Sequence, residues 1–132
     1  MVDRISGRRF VVALRAAGVS VVTLADVWGE QQAQDIPDPM WISHAAERGY
    51  TGITADDDLR YAPSNKQALT NSGLRVFCFP NGNLPWQTQV GRVLAHLLEI
   101  DRLVTEVPGP WMAKLYGGRV EIVWPPELRT LP

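Results

Sequence analysis

The sequence predicts an α/β fold: one three-layer domain with a mainly parallel central sheet, helices on both faces and a C-terminal antiparallel hairpin. Three observations predict it. Short apolar runs alternate with segments of helical period, which implies right-handed strand–helix–strand crossovers. Acidic residues stand where apolar runs end: Asp3 after Met1-Val2, Asp56, Asp57 and Asp58 after Tyr50–Thr54, and Asp38 before Trp41–Ala46. Two final apolar runs are separated by Gly117-Gly118, a pair suited to a two-residue turn.

The elements follow in order. Met1-Val2 reads as the end of a first strand. Phe10, Val11, Leu14 and Ala17 repeat at helical spacing from Arg8 to Ala17, and Gly18 stops that helix. Val19 to Leu24 is β-branched and short, so it reads as a buried strand. The polar segment from Ala25 to Pro39 reads as a long loop, of a length that is usually functional. Asp38 as N-cap, Pro39 just inside and Gly49 just past the end delimit a helix from Pro39 to Arg48. Tyr50 to Thr54 is a strand, with the acidic run at its carboxyl end. A short helix from about Ser64 to Ser72 ends at Gly73, Leu74 to Phe79 is the next strand, and Asn81-Gly82-Asn83 is a turn. From Pro85 to Glu106 a broad apolar stripe predicts one long helix. Trp111–Tyr116 and Arg119–Trp124 form the hairpin, with Trp111 and Trp124 placed to cover a sheet edge. The expected organisation is an α/β core over 1–106, a hairpin over 107–124 and a Pro-rich tail over 125–132.

A chain of 132 residues, 45% hydrophobic, is large enough for one conventional core. It carries no apolar stretch of membrane-spanning length and no secretory signal pattern, which predicts a cytoplasmic protein. A single cysteine, Cys78, sits in the apolar run Val76–Phe79 and reads as a buried structural thiol. Thirteen Lys and Arg against fourteen Asp and Glu give no overall attraction for nucleic acid. The basic start of the chain, with Arg4, Arg8, Arg9 and Arg15, is a local phosphate-binding patch or a solvated helix face.

Ligands of parallel α/β sheets bind beyond the carboxyl ends of the strands. Asp3, Asp56 and Asn81 each follow a strand and so share one rim, and Asp38 leans over it from a helix start. Clustered carboxylates repel one another unless a cation or basic neighbour intervenes. Oxygen donors suit Mg²⁺ or Mn²⁺, whereas two histidines and one cysteine are too few for a usual zinc site. Such an ion suits phosphodiester hydrolysis. His44 and His96 have no acid or nucleophile at motif spacing and read as packing or surface residues. Asp57 is expected to point away from its neighbours. There is no Gly-rich phosphate loop, serine nucleophile elbow or cysteine cluster.

Val2-Asp3-Arg4, Leu14-Arg15-Ala16-Ala17-Gly18 with Val21-Val22-Thr23, Asp35-Ile36-Pro37-Asp38 before Trp41-Ile42, and Ile53-Thr54-Ala55-Asp56 together resemble the PIN-like nucleases. In particular they resemble the VapC-like toxins of bacterial type II toxin–antitoxin pairs. The likeness runs from Val2 to about Asn83. It implies a metal-dependent ribonuclease that hydrolyses RNA and is held inactive by a cognate antitoxin. Matched position by position, Asp3, Asp38 and Asp56 are the implied catalytic acids, and Asp58 joins them as a metal ligand. Asn81 stands on the rim where the family often has a polar or acidic residue, and the basic start of the chain adds Arg4, Arg8 and Arg9 as candidate substrate contacts. Ala55 stands where relatives commonly carry Lys, which leaves a cationic role to Arg60, Lys66 or the N-terminal arginines. The hairpin edge is suited to a homodimer or to the antitoxin. The alternative reading is a PIN-like interaction protein without catalysis. A phospho-accepting receiver domain fits poorly, since Phe79-Pro80 lacks the lysine such domains carry.

Overall fold

The computed structural model describes residues 1–3 and 6–130. One four-stranded sheet runs in the order β1 (Gly52–Thr54), β2 (Arg75–Cys78), β3 (Trp111–Leu115), β4 (Val120–Trp124). The β1–β2 and β2–β3 pairs are parallel and β3–β4 is antiparallel. The start of the chain extends the β1 edge: Val2 makes isolated parallel bridges to Ile53 and to Thr23. The Ile53 N–H donates to the Met1 carbonyl at 2.9 Å, and the Asp3 N–H to the Ile53 carbonyl at 3.2 Å. Two residues therefore suffice to place Asp3 beside the carboxyl end of β1, though they are too few for a regular strand.

Seven helices flank the sheet among the described residues: α1 (Arg8–Ala16), α2 (Leu24–Trp28), α3 (Glu30–Ala33), α4 (Asp38–Glu47), α5 (Pro63–Ser72), α6 (Trp86–Ala95) and α7 (Leu97–Glu106). Leu24, Ala33, Trp41, Ile42, Ala45 and Leu69 pack on one face with Val76, Cys78 and Met112. Phe10, Leu14, Val93 and Leu103 pack on the other with Phe77, Trp111 and Ala113. The alternation of burial partners along β2 and β3 is the period-two pattern that an interior strand requires. The expected three layers are present, with α2 to α5 on one face and α1, α6 and α7 on the other.

Several expected boundaries are corrected. The predicted strand from Val19 to Leu24 contributes only the Thr23 bridge, because Thr23 caps α2 instead. Its hydroxyl accepts from the Asp26 N–H at 3.1 Å while the Asp26 carboxylate accepts from the Thr23 N–H at 2.9 Å. The predicted loop from Ala25 to Pro39 holds the two short helices α2 and α3. In α4 the cap is Pro37, with Asp38 already the first helical residue. The predicted single helix from Pro85 to Glu106 is two, broken at His96 (φ −110°, ψ 16°). There the imidazole donates to the Tyr116 carbonyl at 2.8 Å, tying the break to the hairpin.

The hairpin connection is not a primed two-residue turn, since neither Gly117 nor Gly118 takes a positive φ. It is closed by the Tyr116 N–H to the Arg119 carbonyl at 2.9 Å. Gly73 behaves as expected, ending α5 in the left-handed region at φ 74°. The tail from Pro126 to Thr130 is a 3-10 turn. Trp111 covers no edge: it is fully buried, edge-on to Phe77 with ring centroids 5.1 Å apart.

Candidate active site

Asp3 is the most buried acid at the rim, 4% exposed. Its Oδ2 accepts from the Thr54 hydroxyl, and its Oδ1 accepts from the Ser6 N–H and hydroxyl, each at 3.3 Å. These bonds favour the carboxylate, yet burial outweighs them and raises its pKa to about 6. The charge on Asp38 raises it further.

Asp38 is held from two sides. The Trp41 indole N–H, one helical turn on, donates to its Oδ1 at 2.9 Å. Asn65, buried on α5, donates to its Oδ2 at 3.1 Å and to the Leu59 carbonyl at 3.1 Å. Both carboxylate oxygens are thereby oriented by neutral donors. The negative charge of Asp38 also bears on Asp56, so it sits within electrostatic reach of both strand-end acids.

The third element is the turn after β1. The Thr54 hydroxyl accepts from the Asp56 N–H at 2.9 Å, so one side chain links Asp3 to the backbone of Asp56. Asp56 Oδ1 accepts from the Asp58 N–H at 2.9 Å, closing a tight Asx turn. Burial first, then the charges of Asp58, Asp38 and Asp57, push the Asp56 pKa upward, against the Asp58 N–H. One carboxylate oxygen from each of Asp56, Asp57 and Asp58 lies within 4.8 Å of the others. The expectation that Asp57 points away is therefore corrected: strand alternation does not apply in a turn.

Asp57 has a cationic neighbour that sequence reasoning missed. The Lys114 ammonium, on β3, stands 3.6 Å from Asp57 Oδ2. The signal was present, since Lys114 is the one charged residue in the apolar run Trp111–Tyr116. Asn65 was missed too, although it shares a helix face with buried Leu69 four positions on. Arg60 is buried and committed, its guanidinium donating to the Asp57 carbonyl at 2.6 Å and to the Tyr61 hydroxyl at 2.7 Å. It braces the turn rather than facing outward. Lys66 is exposed on α5.

The remaining predicted contacts are distributed unevenly. Arg8 and Arg9 are exposed in the first turn of α1, where the helix dipole disfavours cations. Arg8 and Asp3 line the same groove, of about 570 Å³, with Ser6, Asp26 and Glu30 on its walls. Arg15 is occupied by Asp26 at 2.6 Å. Arg4 lies outside the described residues. Asn81 is exposed and accepts from the Asn83 N–H at 2.8 Å. Its loop presses on the site: a Cβ added to Gly82 would lie 2.9 Å from the Ala55 carbonyl oxygen. His44 packs on Trp28 at a centroid distance of 5.0 Å, and Cys78 is fully buried with its thiol pKa raised to about 12 by burial. Neither is a nucleophile or ligand candidate.

The donor set is composed of carboxylates alone, two of them with raised pKa from burial and mutual repulsion. That is the chemistry a hard divalent cation fits: it offsets the repulsion and takes oxygen ligands. Among the described residues no helix is long and apolar enough to cross a membrane.

Comparison with known proteins gives a family and a relative. The family model described as "PIN like domain" matches residues 1–81, which include all five acids. The chain is also similar to the protein named "Putative ribonuclease VapC45" of Mycobacterium tuberculosis, 30% identical over 107 residues, covering 81% of this chain and 77% of that protein. No solved structure matches.

Proposed function

Because the chain belongs to the PIN-like domain family and is VapC-like, we propose that it is a Mg²⁺- or Mn²⁺-dependent endoribonuclease acting as the toxin of a type II toxin–antitoxin pair. The observation that carries the reading is the single link Asp3–Thr54–Asp56, with Asp38 within electrostatic reach of both acids. In this reading Asp3, Asp38 and Asp56 are the catalytic acids that hold the ion, with Asp58 beside them. When bound, the ion supplies the acidification of water and the neutralisation of phosphate charge that phosphodiester hydrolysis needs.

The protein's own residues set the stage for that chemistry. Thr54 and Ser6 fix the rotamer of Asp3, and Trp41 and Asn65 fix that of Asp38, so the ligand oxygens are oriented before an ion arrives. Arg8 and Arg9 supply backbone-phosphate contacts on the α1 side, and Asn81 a polar contact on the opposite loop. A cognate antitoxin is the expected protein partner, and the whole chain the expected folding unit.

The test is cleavage of a labelled single-stranded RNA by the purified protein with Mg²⁺ or Mn²⁺. Asp56→Asn is expected to abolish cleavage and growth inhibition while leaving the fold intact. Undiminished cleavage by that variant overturns the assignment.

A further inference from the structure

The acidic rim presents a problem to its own substrate, because the clustered carboxylates of Asp56, Asp57 and Asp58 repel a polyanion. Position 55 is alanine, Arg60 is consumed by the Asp57 carbonyl and Tyr61, and Arg15 is consumed by Asp26. Lys114 is differently placed. Its register partner is Cys78 at the end of β2, so it rises from the same carboxyl-end rim as the acids, but from the far side of the sheet centre. Its side chain is 19% exposed, so the stem is packed while the ammonium reaches the rim. The 3.6 Å separation from Asp57 is an ion pair too long for a hydrogen bond, which leaves the ammonium donors uncommitted there.

We infer that Lys114 is a further phosphate-contacting cation, placed at the acids themselves, held beside Asp57 by charge attraction and aimed at a non-bridging oxygen of the RNA backbone. The inference rests on the nuclease reading for the reaction, and on the Lys114–Asp57 geometry for the contact. Asp57 then has a role distinct from its neighbours: it positions the lysine rather than serving as a ligand. A half-buried ammonium also gives the rim a fixed positive charge that does not depend on bound metal.

The experiment compares the wild type with Lys114→Met, which keeps the packed stem, with Lys114→Gln, and with Lys114→Arg. Binding of a short single-stranded RNA is measured with Ca²⁺ across a salt series, cleavage with Mn²⁺, and Mn²⁺ affinity by calorimetry. Loss of the charge is expected to weaken RNA binding roughly 10- to 100-fold, as for one charge-assisted hydrogen bond. The salt slope should fall by about 0.7, the value for one phosphate contact to a single strand. Mn²⁺ affinity should stay level or rise, because a cation has been removed from the rim, and Lys114→Arg should restore most of the RNA affinity. A purely structural lysine gives the opposite pattern: weaker Mn²⁺ binding, an unchanged salt slope and no rescue by arginine, and that result overturns the inference. Wild-type RNA binding without cleavage overturns the nuclease reading alone, whereas no RNA binding at all overturns both.

Discussion

Thr54 donates its hydroxyl hydrogen to Asp3, joining positions 51 residues apart, and the same oxygen accepts the Asp56 N–H. One fully buried hydroxyl thus fixes the spacing between the two strand-end acids. Thr54→Val preserves shape and β-propensity but removes both bonds. It is expected to cost about 1–3 kcal/mol in urea unfolding. RNA cleavage should fall more than that loss explains, because Asp3 and the Asp56 backbone lose their common reference.

Burial raises the Asp3 pKa from 3.8 to about 6, so the native state holds a proton more tightly than the unfolded chain does. Stability from this group is fully present below the unfolded value and is lost as pH rises through about 6. Without divalent metal, unfolding free energy should therefore decline by about 2.4 kcal/mol between pH 4 and pH 7 from this residue. Denaturant titrations across that window check it. Asp3→Asn should remove about one proton's worth of the slope, and saturating Mn²⁺ should flatten the wild-type curve.

Asn65 supplies a neutral donor to Asp38 at 3.1 Å. Asn65→Asp replaces that donor by a second carboxylate at the same distance. At pH 8 the metal-free variant should melt well below wild type, and below Asn65→Ala, which only loses bonds. Mn²⁺ should recover more of the loss in Asn65→Asp than in Asn65→Ala, read by thermal denaturation with and without the ion.

Gly82 has no room for a side chain, because an added Cβ would stand 2.9 Å from the Ala55 carbonyl oxygen. Gly82→Ala must shift the backbone that leads into Asp56 and is expected to destabilise by about 1–3 kcal/mol, with a matching fall in cleavage. Gly91→Ala is the control. It lies in α6 with nothing within 4 Å of its added Cβ, and should stabilise by about 0.5–1 kcal/mol with cleavage unchanged.

Much of the fold was legible because periodicity reports which face is buried. The stripe Phe10, Val11 and Leu14 marked α1, and Leu74–Phe79 marked β2. The strand expected over Val19–Leu24 failed for a local reason: Thr23 and Asp26 close a capping box, and two side-chain bonds to the backbone outcompete a sheet edge. The helix break at His96 was invisible, because its partner, the Tyr116 carbonyl, lies 20 positions away.

By itself the sequence determined where the acids stand: strand ends and helix starts follow from apolar runs and from prolines, and those fixed Asp3, Asp38 and the run from Asp56 to Asp58. Only the tertiary structure decided how they are held and what faces them. Thr54 reaching Asp3, Asn65 reaching Asp38 and Lys114 reaching Asp57 are contacts between elements distant in the chain. The physical reason is that hydrophobic period is a property of one element at a time. Hydrogen bonds and ion pairs across elements depend on sheet register and helix packing, which no local pattern encodes.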